Sequence, residues 1–188
     1  GSLVYTQMLN AQGGIECDLT VVRLAEEDFD LVTGTGFATH DFDWISRQIP
    51  EGMDARLLDL TSCNSVLALM GPRSRQVLAR LTTDDVGDRE FAFGQARRLS
   101  IAGAPVLALR VTYVGELGWE LHMPTEVAVT VYEALMATGQ VTNAGYRAID
   151  SLRLEKGYRY WSAEVTPEHT PWEAGLGFCV KLDKGDFI

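Results

Sequence analysis

Ser65-Val66-Leu67-Ala68-Leu69-Met70-Gly71-Pro72 is the stretch on which the fold turns. Up to Met70 its side chains are almost continuously apolar, as in a buried strand. Gly71-Pro72 then opens a helix in which Val77, Leu78 and Leu81 share a face. After a polar, acidic loop at 83–87, the spacing predicts strands at 95–101 and 105–113, separated by Ala102-Gly103-Ala104 as in a hairpin. Trp119 to Met123 reads as a further short strand. Pro124-Thr125-Glu126 starts a helix with Val127, Val131 and Leu135 on one stripe, ending at Gly139. The order β-α-β-β-(β)-α is the skeleton of a ferredoxin-like, split-βαβ lobe, and the class is α+β.

Upstream the rhythm differs. An apolar stretch at 5–10 and a β-branched run at 17–24 flank Gln12-Gly13-Gly14, a hairpin signal. A third strand is expected at Phe29–Thr33. Thr39 is placed to cap a helix through Ile49, with Phe42, Ile45 and Ile49 at helical spacing and Pro50-Glu51-Gly52 as its end. Downstream, residues 146–156 read as a last helix with Ile149, Leu152 and Lys156 on one face and Gly157 closing it. The tail at 158–181 holds Pro167, Pro171 and Gly175, so it reads as loop with a short strand near 178–181. Gly1-Ser2 looks like the remnant of a cleaved tag, and the chain reads as a fragment of a larger protein.

The 188 residues carry 16 Lys and Arg against 26 Asp and Glu, a formal charge of −10. That balance argues against a nucleic-acid or membrane-surface partner, both of which need clustered cations. No apolar run reaches the length of a membrane-spanning helix. Cys17, Cys63 and Cys179 are odd in number and far apart, so neither a disulfide framework nor a zinc site is expected. His40, His122 and His169 show no metal-ligand spacing, and the metal expectation is none. Gly34-Thr35-Gly36 only echoes a dinucleotide fingerprint, because the third glycine is missing.

Two acids stand out. Asp18 follows the Gly-Gly turn inside an apolar strand, where a carboxylate must face solvent, cap a turn or sit in a cleft with a perturbed pKa. Glu120 lies in Gly115-Glu116-Leu117-Gly118-Trp119-Glu120-Leu121, where it is either an exposed strand residue or a ligand contact. Between 146 and 161, Arg147, Arg153, Lys156 and Arg159 interleave with Tyr146, Tyr158, Tyr160 and Trp161. This basic, aromatic strip suits either a flat anionic ligand or a solvated helix face beside a core cluster.

Four stretches together resemble one family. Residues 5–15 with Asp18-Leu19-Thr20-Val21, residues 113–120, Asp150-Ser151-Leu152-Arg153-Leu154-Glu155 with Gly157, and Thr170-Pro171-Trp172-Glu173-Ala174-Gly175-Leu176 resemble the motifs of the glycine-cleavage T-protein (aminomethyltransferase) family, in order. Residues 115–122 and 143–153 are closer to the branch of sarcosine and dimethylglycine dehydrogenases. The resemblance implies a T-protein-like folate-binding fold. Its folate-pocket lobe would comprise 3–58 and 149–188, and its ferredoxin-like lobe 59–148. It implies a tetrahydrofolate-binding region that passes the one-carbon unit of an oxidised N-methyl amine to tetrahydrofolate. FAD would belong to a preceding domain of the same protein, and a C-terminal barrel would follow, in a bacterial cytoplasm or a mitochondrial matrix. The alternatives are a non-catalytic folate-binding module and a folate-dependent demethylase of another methylated substrate.

By the same resemblance, Asp18 is the catalytic aspartate, helping a folate nitrogen shed its proton. Glu120 grips the pterin through its N–H donors, and Tyr5 and Tyr113 line the folate pocket. Arg147 is the candidate for the folate tail. The family's arginine directly precedes the aspartate of the third motif, where this chain has Ile149. Arg147 lies two residues earlier, about 200° around the helix. On so acidic a chain, the strip from Arg147 to Arg159 has to focus positive potential locally.

Overall fold

In the computed structural model, which describes residues 1–185, the Gly-Gly turn joins β1 (Ser2–Leu9) to β2 (Ile15–Arg23). The turn is built by Asn10, whose side-chain oxygen accepts from the backbone N–H groups of Gln12 at 3.0 Å and Gly14 at 2.9 Å. β3 (Phe29–Thr33) completes a sheet of order β1-β2-β3. A 3-10 turn at Thr35–Phe37 leads into α1 (Ala38–Gln48). Thr39 is therefore inside the helix rather than its cap, because the Gly34 carbonyl accepts from Phe37 N–H at 2.8 Å and starts the coil earlier. The same turn absorbs Gly34-Thr35-Gly36, so no phosphate loop forms there.

The chain divides into two compact units. The hairpin unit comprises Val4–Val22, Asp28–Asp59 and residues 159–185; the meander unit comprises Gly1–Leu3, Arg23–Glu27 and Leu60–Tyr158. Residues 186–188, which the sequence reading assigns to a folate-pocket lobe, lie outside the described residues.

In the hairpin unit, Ile15, Val165, Ala174 and Leu176 are buried together, with Tyr5, Leu9 and Trp161 packed on them. Ile15 N–H donates to the His169 carbonyl at 3.0 Å, and the Trp161 indole N–H donates to the Ile15 carbonyl at 2.9 Å. These two bonds satisfy backbone groups buried by the core. Gly14 sits where the chain passes closest: a Cβ there would lie 1.7 Å from the Pro167 carbonyl oxygen. The strand expected near 178–181 is instead a 3-10 turn, Gly177–Cys179, closed by Val180 N–H on the Gly177 carbonyl at 3.1 Å.

The meander unit begins with the stretch on which the reading turned. β4 (Asn64–Met70) leads into α2 (Ser74–Leu78), which buries Val77 and Leu78. β5 (Ala96–Ile101) and β6 (Ala104–Leu109) are joined by Ala102 and Gly103, both at positive φ (51° and 81°), as a two-residue hairpin turn requires. β7 (Gly118–Pro124) follows, then α3 (Ala128–Ala137) and α4 (Tyr146–Glu155). The sheet order is β4-β7-β6-β5, with antiparallel pairing throughout.

The expected elements are present, but the strand order is a meander with β4 added to its β7 edge rather than a split βαβ. No helix separates β6 from β7, so the chain has no crossover with which to insert a strand elsewhere, and β7 pairs with β6. β6 also stops at Leu109 instead of running to 113. Alternation places Leu99, Ile101, Val106, Ala108, Trp119, Leu121 and Met123 on one covered face, where Val131 and Leu135 of α3 and Phe91 join the core.

On α4 the buried residue is Arg153, while Leu152 is exposed. Its guanidinium donates to Asp150 at 2.8 and 2.5 Å and to the Tyr158 carbonyl at 2.9 Å, which holds the end of the helix to the chain that leaves it. This part of the chain groups with the meander unit as far as Tyr158.

Candidate functional site

Pairing of β1 with β2 puts Tyr5 and Gln7, two residues apart on one strand, beside Asp18 on the other. Gln7 Nε2 donates to Asp18 Oδ1 at 3.0 Å, and the Tyr5 hydroxyl also donates to the Asp18 carboxylate. Phe178 stacks on the Tyr5 ring with centroids 6.5 Å apart and planes 30° from parallel. Asp18 is half-buried, and burial pushes its proton affinity above the ordinary carboxylate range. The bonds from Gln7 and Tyr5 pull it back, and the nearby Asp41 charge adds to the rise. Tyr5 is held protonated first by burial and then by the Asp18 charge, so its hydroxyl remains a donor. Cys179 completes the group; burial and the Asp18 charge raise its thiol, while a bond from Gln7 lowers it.

A second network lies beside Asp18. The buried Asp41 carboxylate accepts from the Thr33 hydroxyl, from His40 Nδ1 at 2.8 Å and from the Cys17 thiol. His40 Nε2 lies 3.2 Å from Glu16 Oε1, and Asn10 Nδ2 donates to Glu16 Oε2 at 3.4 Å. Bonds to Asp41 and Glu16 raise the His40 proton affinity.

Of the residues expected from the resemblance, the fold brings Asp18 and Tyr5 together. Tyr113, Glu120 and Arg147 belong to the meander unit. Tyr113 is half-buried and stacks on Tyr158 at 6.4 Å between centroids. Glu120 is on β7, on the face away from the core, opposite Ala68 and Leu109, with Oε2 3.4 Å from His122 Nε2. Arg147 is exposed on the first turn of α4. A cavity of about 280 Å³ in this unit is lined by Arg110, Thr112, Glu116 and Tyr158 among others.

The basic strip does not act as one surface. Arg153 is taken up by Asp150 and Tyr158, and the Lys156 side chain packs where a Cβ on Gly115 would be. Trp161 belongs to the core of the hairpin unit.

Sequence reasoning missed Gln7, although its two-residue offset from Tyr5 across from Asp18 carries the signal. It also missed Phe178, which is remote in the chain and has no local cue.

The hairpin thus holds a half-buried carboxylate between donor side chains, in an α+β chain of two units. The chain belongs to the GCVT N-terminal domain family, which matches residues 1–184. It is 41% identical to the mitochondrial sarcosine dehydrogenase of Homo sapiens, over 97% of this chain and 22% of that protein. It is 40% identical to the mitochondrial dimethylglycine dehydrogenase of Homo sapiens, again over 97% of this chain and 22% of the relative. The chain thus spans about a fifth of the length of these curated relatives. Among solved structures, glycine cleavage system aminomethyltransferase T from Bartonella henselae superposes with a TM-score of 0.86 at 32% identity, over 97% of this chain and 48% of that one. No helix among the described residues is long and apolar enough to cross a membrane.

Proposed function

We infer that this chain is the one-carbon-transfer region of a longer N-methyl amine dehydrogenase, passing the carbon of an oxidised N-methyl group to tetrahydrofolate. The observation that carries this reading is the Asp18 carboxylate, held by Gln7 and Tyr5 and with its proton affinity raised by burial. A base for an amine proton works best when its pKa approaches the working pH, and burial moves Asp18 in that direction.

The residues present fit a reduced pterin. Asp18 keeps acceptor capacity beyond its two donors, which suits ring N–H groups, and the Tyr5–Phe178 pair supplies flat apolar surface. When bound, tetrahydrofolate supplies two nitrogens that take up the carbon as 5,10-methylenetetrahydrofolate. Asp18 would take the proton that the first folate nitrogen sheds and hand it to the departing amine, and the proton of the second nitrogen would leave to solvent. Tyr5 and Gln7 fix the carboxylate for both transfers. Glu120 serves as an acceptor for pterin N–H groups, Tyr113 as a stacking partner and Arg147 as a cation for the anionic tail. The oxidation that supplies the electrophile falls to a flavin domain outside this chain, with FAD as its cofactor.

Turnover of sarcosine or dimethylglycine by the full-length protein tests the reading. With tetrahydrofolate present, the wild type yields 5,10-methylenetetrahydrofolate. Asp18→Asn oxidises the amine at the same rate, still binds tetrahydrofolate by calorimetry, and releases the carbon as formaldehyde. Unchanged methylenetetrahydrofolate yield in the variant would remove Asp18 from the role. A wild type that binds folate but never captures the carbon would leave a binding module.

A further inference from the structure

Cys17, His40 and Asp41 are not used by the transfer reading, yet β2 and α1 bring them to one point. One ligand atom from each — the Cys17 Sγ, a His40 ring nitrogen and an Asp41 carboxylate oxygen — lies within 4.8 Å of the other two. We propose that these three side chains bind a divalent cation of the zinc class, with water in the remaining position. The proposal is independent of the one-carbon reading.

The donor set is the first argument. A thiolate sulfur, an imidazole nitrogen and a carboxylate oxygen suit a borderline-soft, four-coordinate ion, and not magnesium or calcium, which want oxygen alone. Zinc–sulfur and zinc–nitrogen bonds of about 2.3 and 2.0 Å put such ligand atoms about 3.5 Å apart, so no pair has to close by more than about an ångström, while His40 Nδ1 and Asp41 Oδ1 open from 2.8 Å.

The surroundings of the ligands are the second argument, and the stronger one. His40 offers Nδ1 toward Asp41 while its Nε2 faces Glu16 Oε1 at 3.2 Å. Coordination through Nδ1 leaves Nε2–H donating to Glu16, the carboxylate–histidine–metal arrangement that fixes ring orientation and raises ligand basicity. Glu16 is itself held by Asn10 at 3.4 Å. Thr33 donates to Asp41 Oδ2, which leaves Oδ1 for the ion. Cys17 and Asp41 are buried, and His40 is exposed, so the ring marks the entry side.

Protons balance simply. The ion replaces the thiol proton of Cys17 and the Nδ1 proton of His40, and two protons leave to solvent. Two protons leave for one divalent ion, so the net charge of the site is the same before and after binding.

Cobalt serves as the probe. The purified chain is stripped with chelator and titrated with Co²⁺. One equivalent should produce thiolate-to-cobalt charge-transfer absorption and the visible bands of a tetrahedral ion, both abolished by added Zn²⁺. Cys17→Ala should lose the charge-transfer band. Glu16→Gln, which leaves all three ligands in place, should weaken Co²⁺ binding about 10–100-fold. If Cys17→Ala does not fold, His40→Gln replaces it, at an exposed position, and should weaken binding more than tenfold. A wild type without the charge-transfer band overturns the proposal. So does a band of unchanged affinity in Cys17→Ala or His40→Gln.

Discussion

Gln7 Nε2 donates to Asp18 Oδ1 at 3.0 Å, across adjacent strands of one hairpin. The amide cannot titrate, so it supplies a pH-independent bond that favours the charged form of a half-buried acid. Together with the Tyr5 hydroxyl, it limits how far burial raises the Asp18 proton affinity.

Removing either donor should therefore shift the pH dependence of transfer in a stated direction. Gln7→Leu and Tyr5→Phe each delete a bond that lowers the Asp18 pKa, so the acidic limb of the pH–rate profile moves to higher pH. A hydrogen bond to a charged group contributes about 1.5–3 kcal/mol, so the limb should move by about 1–2 pH units. Tyr5→Phe keeps the ring that stacks on Phe178, so folate affinity should change less than rate. Rapid-quench measurement of methylenetetrahydrofolate formation between pH 5 and 9 checks both; an unmoved acidic limb contradicts the assignment.

Asp18→Asn should stabilise the fold while removing transfer. A carboxylate whose folded pKa is raised is most favourable when protonated. Its contribution is present below the unfolded value of about 3.9 and is lost as pH rises through the folded value. At pH 7 the wild type carries that cost, and asparagine does not, while its side-chain oxygen still accepts from Gln7. The variant should melt a few degrees higher at pH 7, with the gap closing toward pH 3. Paired calorimetric scans at the two pH values decide it; a variant that melts lower at pH 7 would mean that Asp18 is a stabilising structural acid.

What the sequence disclosed, and what it hid, follows from distance along the chain. The β1–β2 hairpin was legible because Gly13-Gly14 separates two strand-forming runs, and Asp18 was conspicuous as an acid inside one of them. The partners of Asp18 within the hairpin were one step of inference away. Phe178 and Cys179 were not, since their approach depends on the tail folding back over the sheet through Ile15, Trp161 and His169. Cys17, His40 and Asp41 have no motif spacing, because a strand and a helix in different registers deliver them. In the meander unit, periodicity located the elements, but strand order hinged on the missing crossover between β6 and β7. Arg153 illustrates the opposite error: a basic residue on a helix suggested a ligand contact, yet its buried guanidinium ties Asp150 to the Tyr158 carbonyl.

Asp88 should stabilise the meander unit only while ionised. Its Oδ1 accepts from Arg75 at 2.6 Å and from Arg110 at 2.5 Å, and these bonds hold its carboxyl below the usual range. The two guanidinium groups lie 5.9 and 5.7 Å from the buried Trp119 ring, so Asp88 also orders the cations beside the core. A depressed folded pKa gives stability that is present above the unfolded value of about 3.9 and lost as pH falls through the folded one. Asp88→Asn should therefore lower the melting temperature at pH 7 and have little effect near pH 2. Because Asp88 is itself exposed, the difference at pH 7 should shrink in 1 M salt.

Gly14→Ala separates backbone crowding from side-chain loss, because it adds one methyl group and removes nothing. The new Cβ would lie 1.7 Å from the Pro167 carbonyl oxygen and 2.8 Å from its carbon, so the turn at 166–169 has to move away from the hairpin. That turn carries His169, whose carbonyl accepts from Ile15 N–H, and the displacement would leave a buried donor unpaired. An unsatisfied buried group costs about 1–3 kcal/mol before any loss of packing. The hairpin unit should open first, with raised hydrogen exchange at Ile15, Cys17 and Trp161, while Leu121 and Val131 of the meander core keep their protection. Gly13→Ala makes the control: Gly13, unlike Gly14, has a positive φ, at 81°, but its Cβ would meet only Thr170 at 4.0 Å. It should show the modest cost of a strained turn without exposing Ile15. Equal exchange at Ile15 in the two variants would mean that contact with Pro167 does not hold the hairpin to the tail.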